Sequence, residues 1–206
     1  LKKLGVPRVP AVTVGDQVVH GWNPEGYAKL LGVAYARSVK FPPAELARRL
    51  DRVLECAEEL VRAFPESALD VIPQERKRTV RDLGYHLFRV GLSFVDAMDR
   101  GELPEGWFEE PAPPAMRAAV AVASYGSLVR GRLQGWFAGV AEDEFARIIA
   151  VYYGPQSAYD LLERTTWHAA QHLRQLHVLA ARLGVTPPSP LPLEEFRGLP
   201  LPDAIW

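Results

Sequence analysis

The sequence predicts a mainly α-helical chain: a four-helix bundle preceded by a small β-hairpin and a short helix. Three observations carry this expectation. Apolar residues recur at helical spacing, as in Leu46, Leu50, Val53, Ala57, Leu60 and Phe64, the pattern of a helix that buries one face. Proline- and glycine-rich breaks separate four such stretches, with loop lengths that allow a bundle. Two β-rich runs, AVTV and QVVH, stand near the start on either side of Gly15-Asp16, a two-residue hairpin signal.

Residues 1–32 read as strand, turn, strand, helix. Asn23 is expected to cap that helix, with Pro24 at its first position and Gly32 past its end. So small a unit cannot bury a core alone and must pack on something else. Residues 33–42 read as a linker, closed by Phe41-Pro42-Pro43. The bundle is expected over residues 43–184, its first helix over 44–64. Pro65 and Pro73 bracket an irregular stretch. The second helix starts at Thr79, with Asp82 completing an N-cap pair, and stops near Gly101. The segment GELPEGWFEEPAPP reads as a loop, residues 115–139 as the third helix, and AEDEFARIIAVYYG as a short helix or turn. The fourth helix covers 157–183 and ends at Gly184. Residues 185–206 are too proline-rich for regular structure. Their Phe196, Leu199, Leu201, Ile205 and Trp206 predict docking on the bundle.

Composition narrows the function classes. At 206 residues, 48% hydrophobic and 24% charged, the chain has the make-up of an ordinary globular protein. Its formal net charge is −1 and no long basic run occurs, so neither nucleic acid nor an anionic membrane is an expected partner. No stretch approaches the roughly 20 apolar residues of a membrane span. Cys56 is the single cysteine, which excludes an intramolecular disulfide and favours a cytoplasmic protein. The chain opens on Leu1 rather than Met, which leaves open a preceding segment with a targeting signal or further cysteines.

The chemistry points to histidine. His168 and His172 stand four residues apart in the fourth helix, one turn apart on one face. They share a stripe with Leu161, Thr165, Gln175 or Leu176, Leu179 and Leu183. His86 lies on the apolar side of the second helix, between Leu83 and Val90. Buried imidazoles must be hydrogen-bonded or ligate something, and the residues alone leave both readings open. As ligands, three neutral nitrogens would leave one position free, the arrangement of a catalytic metal site. Asp82 and Glu163 could each orient an imidazole, but both also read as helix-start carboxylates favoured by the dipole. His177 lies about 140° round the helix from His172 and reads as flank. His20 reads as exposed. Trp107, Trp136, Trp167 and Trp206 read as core and pocket wall, and Cys56 as an inert buried residue.

His86 and the run ERTTWHAAQHLRQL resemble the DinB/YfiT superfamily of four-helix-bundle metalloproteins, which includes bacillithiol and mycothiol S-transferases. Its pattern puts one histidine ligand in the second helix and an H-x-x-x-H pair in the fourth, ending H-x-x-H-H-R-G-Q. His168 and His172 match the pair and Gln175 the final Gln, while Gln171 and Leu173-Arg174 depart from it. The resemblance covers about residues 44–183. It implies a divalent ion on His86, His168 and His172, zinc by default with nickel or iron as alternatives. The N-terminal VPRVPAVTVGDQVVHGWNPEGYAKLLG is similar to the second half of a glutaredoxin or thioredoxin fold, with Val9-Pro10 where that fold has its cis-proline loop. The half that would carry the redox cysteines is not in the sequence, so dithiol exchange is not expected.

Together these resemblances imply a thiol S-transferase for detoxification or stress response. Its cosubstrates would be a low-molecular-weight thiol and an electrophile, and a homodimer is compatible with it. A metal-dependent hydrolase or isomerase, and a non-catalytic metal-binding or redox-sensing bundle, are the alternatives.

Overall fold

The computed structural model describes residues 11–21, 23–35 and 40–206. The hairpin forms between β1 (Ala11–Val14) and β2 (Gln17–His20), antiparallel, with Val14 opposite Gln17. Gly15 takes the positive φ of 57° that the first position of this turn demands. The helix α1 (Pro24–Leu31) follows, and Asn23 accepts a hydrogen bond from the Gly26 N–H at 2.8 Å. Gly32 closes α1 in the left-handed conformation. Val9-Pro10, the expected cis-proline position, lies outside the described residues.

Four long helices make the bundle: α2 (Pro43–Ala63), α4 (Val80–Arg100), α5 (Ala119–Gly139) and α6 (Ala158–Arg182), with the one-turn α3 (Glu66–Leu69) between the first two. Both α2 and α4 pack against α5 and against α6, so α5 and α6 occupy opposite corners. The expected stripe on α2 is buried from Leu46 to Phe64. On α5, Gly126 lets the helix close on Phe88 of α4; a Cβ there would sit 2.6 Å from the Phe88 ring, closer than packed atoms tolerate.

Two expectations need correction. The third helix begins at Ala119 rather than residue 115. The Met116 N–H donates to the Pro113 carbonyl at 2.8 Å in a turn, and the Glu66 carboxylate takes the Ala119 N–H at 3.2 Å. Both contacts hold the preceding residues out of the helix. The segment read as a short helix or turn contains a strand. After a 3₁₀ turn at Glu142–Ala146, β4 (Ile148–Val151) pairs in parallel with β3 (Glu102–Leu103) and antiparallel with β5 (Gln156–Ser157). The β-branched run Ile148-Ile149 found partners in two loops whose own residues give no strand signal. This small sheet joins the end of α4 to the start of α6.

Residues 185–206 lie on the bundle. Phe196 and Leu199 are buried in the common core, and one helical turn, α7 (Leu193–Phe196), forms despite the prolines. Arg49 donates to the carbonyls of Glu195 and Arg197 at 3.1 and 2.7 Å. Among the described residues, no helix is long and apolar enough to cross a membrane.

Candidate metal centre

Helix α4 opens on Thr79, whose Oγ1 accepts the Asp82 N–H at 3.0 Å, and closes on Gly101 with φ 77°. Its packed face carries His86 onto α6. Helix α6 is capped by Ser157 and buries Leu161, Thr165, His172, Gln175, Leu176 and Leu179 along one side. Because α4 and α6 are bundle neighbours, three histidines far apart in sequence meet. One potential ligand atom from each of His86, His168 and His172 lies within 4.8 Å of the others. The ring centroids of His86 stand 5.8 Å from His168 and 4.8 Å from His172.

The hydrogen bonds set the chemistry of these rings. The Gln175 Nε2 donates to the Ile205 carbonyl at 2.7 Å, which turns the amide oxygen toward His172. That oxygen lies 2.8 Å from His172 Nδ1 and can only accept, so Nδ1 carries the proton. The lone pair is then on Nε2, which faces His168 Nε2 at 3.0 Å. His86 Nδ1 is buried with no hydrogen-bond partner. A tetrahedral ion with bonds of 2.0–2.1 Å would set its nitrogen ligands about 3.3 Å apart. The orphaned nitrogen, the fixed tautomer and the clustering all fit a divalent cation. These nitrogens are ligands of the kind that zinc, nickel and ferrous iron accept.

Burial is the main reason all three imidazoles resist protonation. It pushes His86 down to about 2, helped by His172, Arg78 and Arg76. His172 is lowered to about 4 by burial, with the Gln175 hydrogen bond acting the other way. His168 is driven well below its ordinary value by burial and by its two histidine neighbours. They therefore stand neutral at physiological pH, the form that ligates metals.

This has a consequence for the ion-free protein. Its unfolded chain, titrating near the ordinary histidine value, binds protons that the folded chain refuses. Stability is complete above about pH 6.5 and falls as the pH drops toward about 4, where folded His172 also protonates. Each imidazole contributes a slope of up to roughly 1.4 kcal/mol per pH unit. Urea unfolding at pH 7, 6 and 5 is expected to show a falling midpoint. A constant midpoint would contradict a buried, neutral triad.

The histidines floor a cavity of about 670 Å³. Leu83 and Gln175 line it with them, and the exposed stretch from Gln74 to Lys77 with half-buried Arg78 forms its rim. Phe108 packs near His86 and His168, with centroids 6.0 and 6.1 Å away. Of the four tryptophans expected as core and pocket wall, none lines the cavity. Trp107, Trp136, Trp167 and Trp206 instead pack half-buried around the core. Asp82 serves the helix start, accepting from Thr79 Oγ1 at 2.7 Å and from the Ala112 N–H at 3.0 Å. Glu163 lines a different cleft, with Asn23 and Pro155. Cys56 is buried on α2, and burial pushes its thiol pKa up, so it is a poor nucleophile. His177 stands apart from the triad, half-buried.

Two features of the site are illegible from spacing alone. Gln175 has a clear role only once the Ile205 carbonyl is seen to orient it. The cationic rim lies in the stretch between α3 and α4, where the sequence shows three basic residues but no link to the histidines.

The sequence pattern of the DinB superfamily matches residues 46–176 of this chain, a span that contains all three histidines. A solved DinB-like protein from Bacillus cereus shares the fold. It aligns with a TM-score of 0.55 at 16% identity, over 67% of this chain and 90% of that one. No curated protein matches the chain.

Proposed function

The chain belongs to the DinB superfamily, and from that premise we propose that it is a metal-dependent thiol S-transferase. The observation that carries the reading is the triad: three neutral imidazoles at the floor of an open cavity, one with its tautomer fixed by Gln175. Three protein ligands leave a position for an exogenous one, as in catalytic rather than structural sites. A divalent ion held there would favour the thiolate form of a thiol that reaches it.

The chain's residues supply the rest. His86, His168 and His172 bind through lone pairs kept free of protons. Gln175 fixes the His172 ring. Leu83 and Phe108 set apolar side chains beside the triad. The transfer joins the thiol sulfur to the electrophilic carbon as the bond to the leaving group breaks, and the thiol proton passes to solvent. The N-terminal hairpin and α1, similar on their residues to a thioredoxin-fold half, add support for a thiol cosubstrate.

The test follows loss of free thiol when zinc-, nickel- or iron-loaded protein is mixed with 2-mercaptoethanol and monochlorobimane. Metal-dependent conjugation above the background rate is expected. Turnover of ester or amide substrates without any thiol, and no conjugation, would favour a hydrolase instead.

A further inference from the structure

The rim of the histidine cavity carries an unbalanced charge. Arg76, Lys77 and Arg78 follow one another there. Arg78 is pinned, its guanidinium donating to the Phe108 carbonyl. Arg76 and Lys77 are exposed and form no ion pair among the described residues. The one carboxylate on the rim, Glu75, is held by Arg182 at 2.8 and 3.0 Å. Arg76, Lys77 and Arg78 line the same cavity as His86, His168 and His172.

This arrangement opposes the binding of a cation by itself. Neutral imidazoles would leave a divalent ion's full charge in place, and no free carboxylate on the rim offsets it or the three side chains. The chain as a whole is close to neutral, at −1, so the excess is local. Low-dielectric walls strengthen the field of charges around a cleft. An incoming negative charge relieves the repulsion.

We propose that the cavity is built for an anionic thiol. The sulfur end would reach the histidines, while a carboxylate or phosphate on the same molecule pairs with Arg76 and Lys77. This rests on the thiol and metal reading above. It goes further by assigning the rim as a second contact that selects among thiols. Arginine suits that role because its planar fork grips a carboxylate or phosphate with two hydrogen bonds.

The test uses cobalt-loaded full chain and three thiols of similar length: 3-mercaptopropionate, 2-mercaptoethanol and cysteamine. Binding is read from the visible absorption of the ion at low salt, with propionate as a thiol-free anion. The expected order is anionic, then neutral, then cationic, with roughly tenfold between steps. The steps collapse to within about twofold in the variant Arg76→Ala/Lys77→Ala and persist in Arg132→Ala, a charge lost elsewhere. Equal affinities in the wild type, or steps that survive the double substitution, overturn the proposal. If no thiol perturbs the ion but propionate does, and only with the rim intact, the anion contact stands and the thiol reading falls. If neither thiols nor propionate bind, both fall.

Discussion

His168→Ala is expected to abolish stoichiometric binding of a divalent ion. The wild type, purified without a histidine tag, should carry or take up about one equivalent of zinc, nickel or iron. Three imidazoles meet within 4.8 Å, and removing one leaves two nitrogen ligands with no free carboxylate lining the cavity to replace the third. The loss should exceed the roughly 10–100-fold that follows deletion of a residue merely supporting a ligand. The ion-free variant should keep its helix content, because His168 is only partly buried at the cavity and truncating it opens little enclosed space. Elemental analysis and calorimetric titration of both proteins, beside far-ultraviolet circular dichroism, decide the matter. A wild type that takes up no added ion would reduce the triad to hydrogen-bonded core histidines.

The second large effect is expected at Gln175. It accepts from His172 Nδ1 and donates to the Ile205 carbonyl, so one side chain couples the metal site to the 202–206 segment. Gln171 reinforces that segment by donating to the carbonyls of Ala204 and Ile205 at 3.0 and 2.7 Å, and Arg174 by donating to Pro202 at 2.7 Å. Gln175→Ala removes both bonds and should weaken ion binding roughly 10–100-fold. Gln175→Glu separates them. Its carboxylate still accepts from His172 and raises the basicity of the ring, so affinity is retained or improved. It can no longer donate to Ile205, so amide hydrogen exchange over residues 202–206 should accelerate. An affinity equal to wild type in Gln175→Ala would show that His172 needs no such support.

Helical spacing made much of this legible. It is a local property, and α2, α4 and α6 stop within two residues of the breaks at Pro65, Gly101 and Gly184. The i, i+4 spacing of His168 and His172 and the stripe position of His86 put all three toward the interior, where the structure brings them together. What stayed hidden depends on partners distant in sequence. Ile148–Val151 became a strand because two loops offered it edges. Arg76 and Lys77 gained meaning from the cavity beneath them, and Gln175 from a backbone carbonyl thirty residues on. Asp82, one turn before His86, accepts from the Thr79 hydroxyl and the Ala112 N–H rather than from an imidazole.

The small sheet has a mechanical consequence. It clasps α4 and α6 at one end, where Leu103 pairs with Val151 and Ile148 with Ser157. His86 and His172 sit toward the other end, each roughly 21 Å from the clasp at 1.5 Å per residue. At that radius, a change of about 4° in the angle between the two helices would shift a residue by about 1.5 Å. The sheet, by fixing where α4 and α6 meet, therefore bears on how closely His86 approaches His168 and His172 across the two helices.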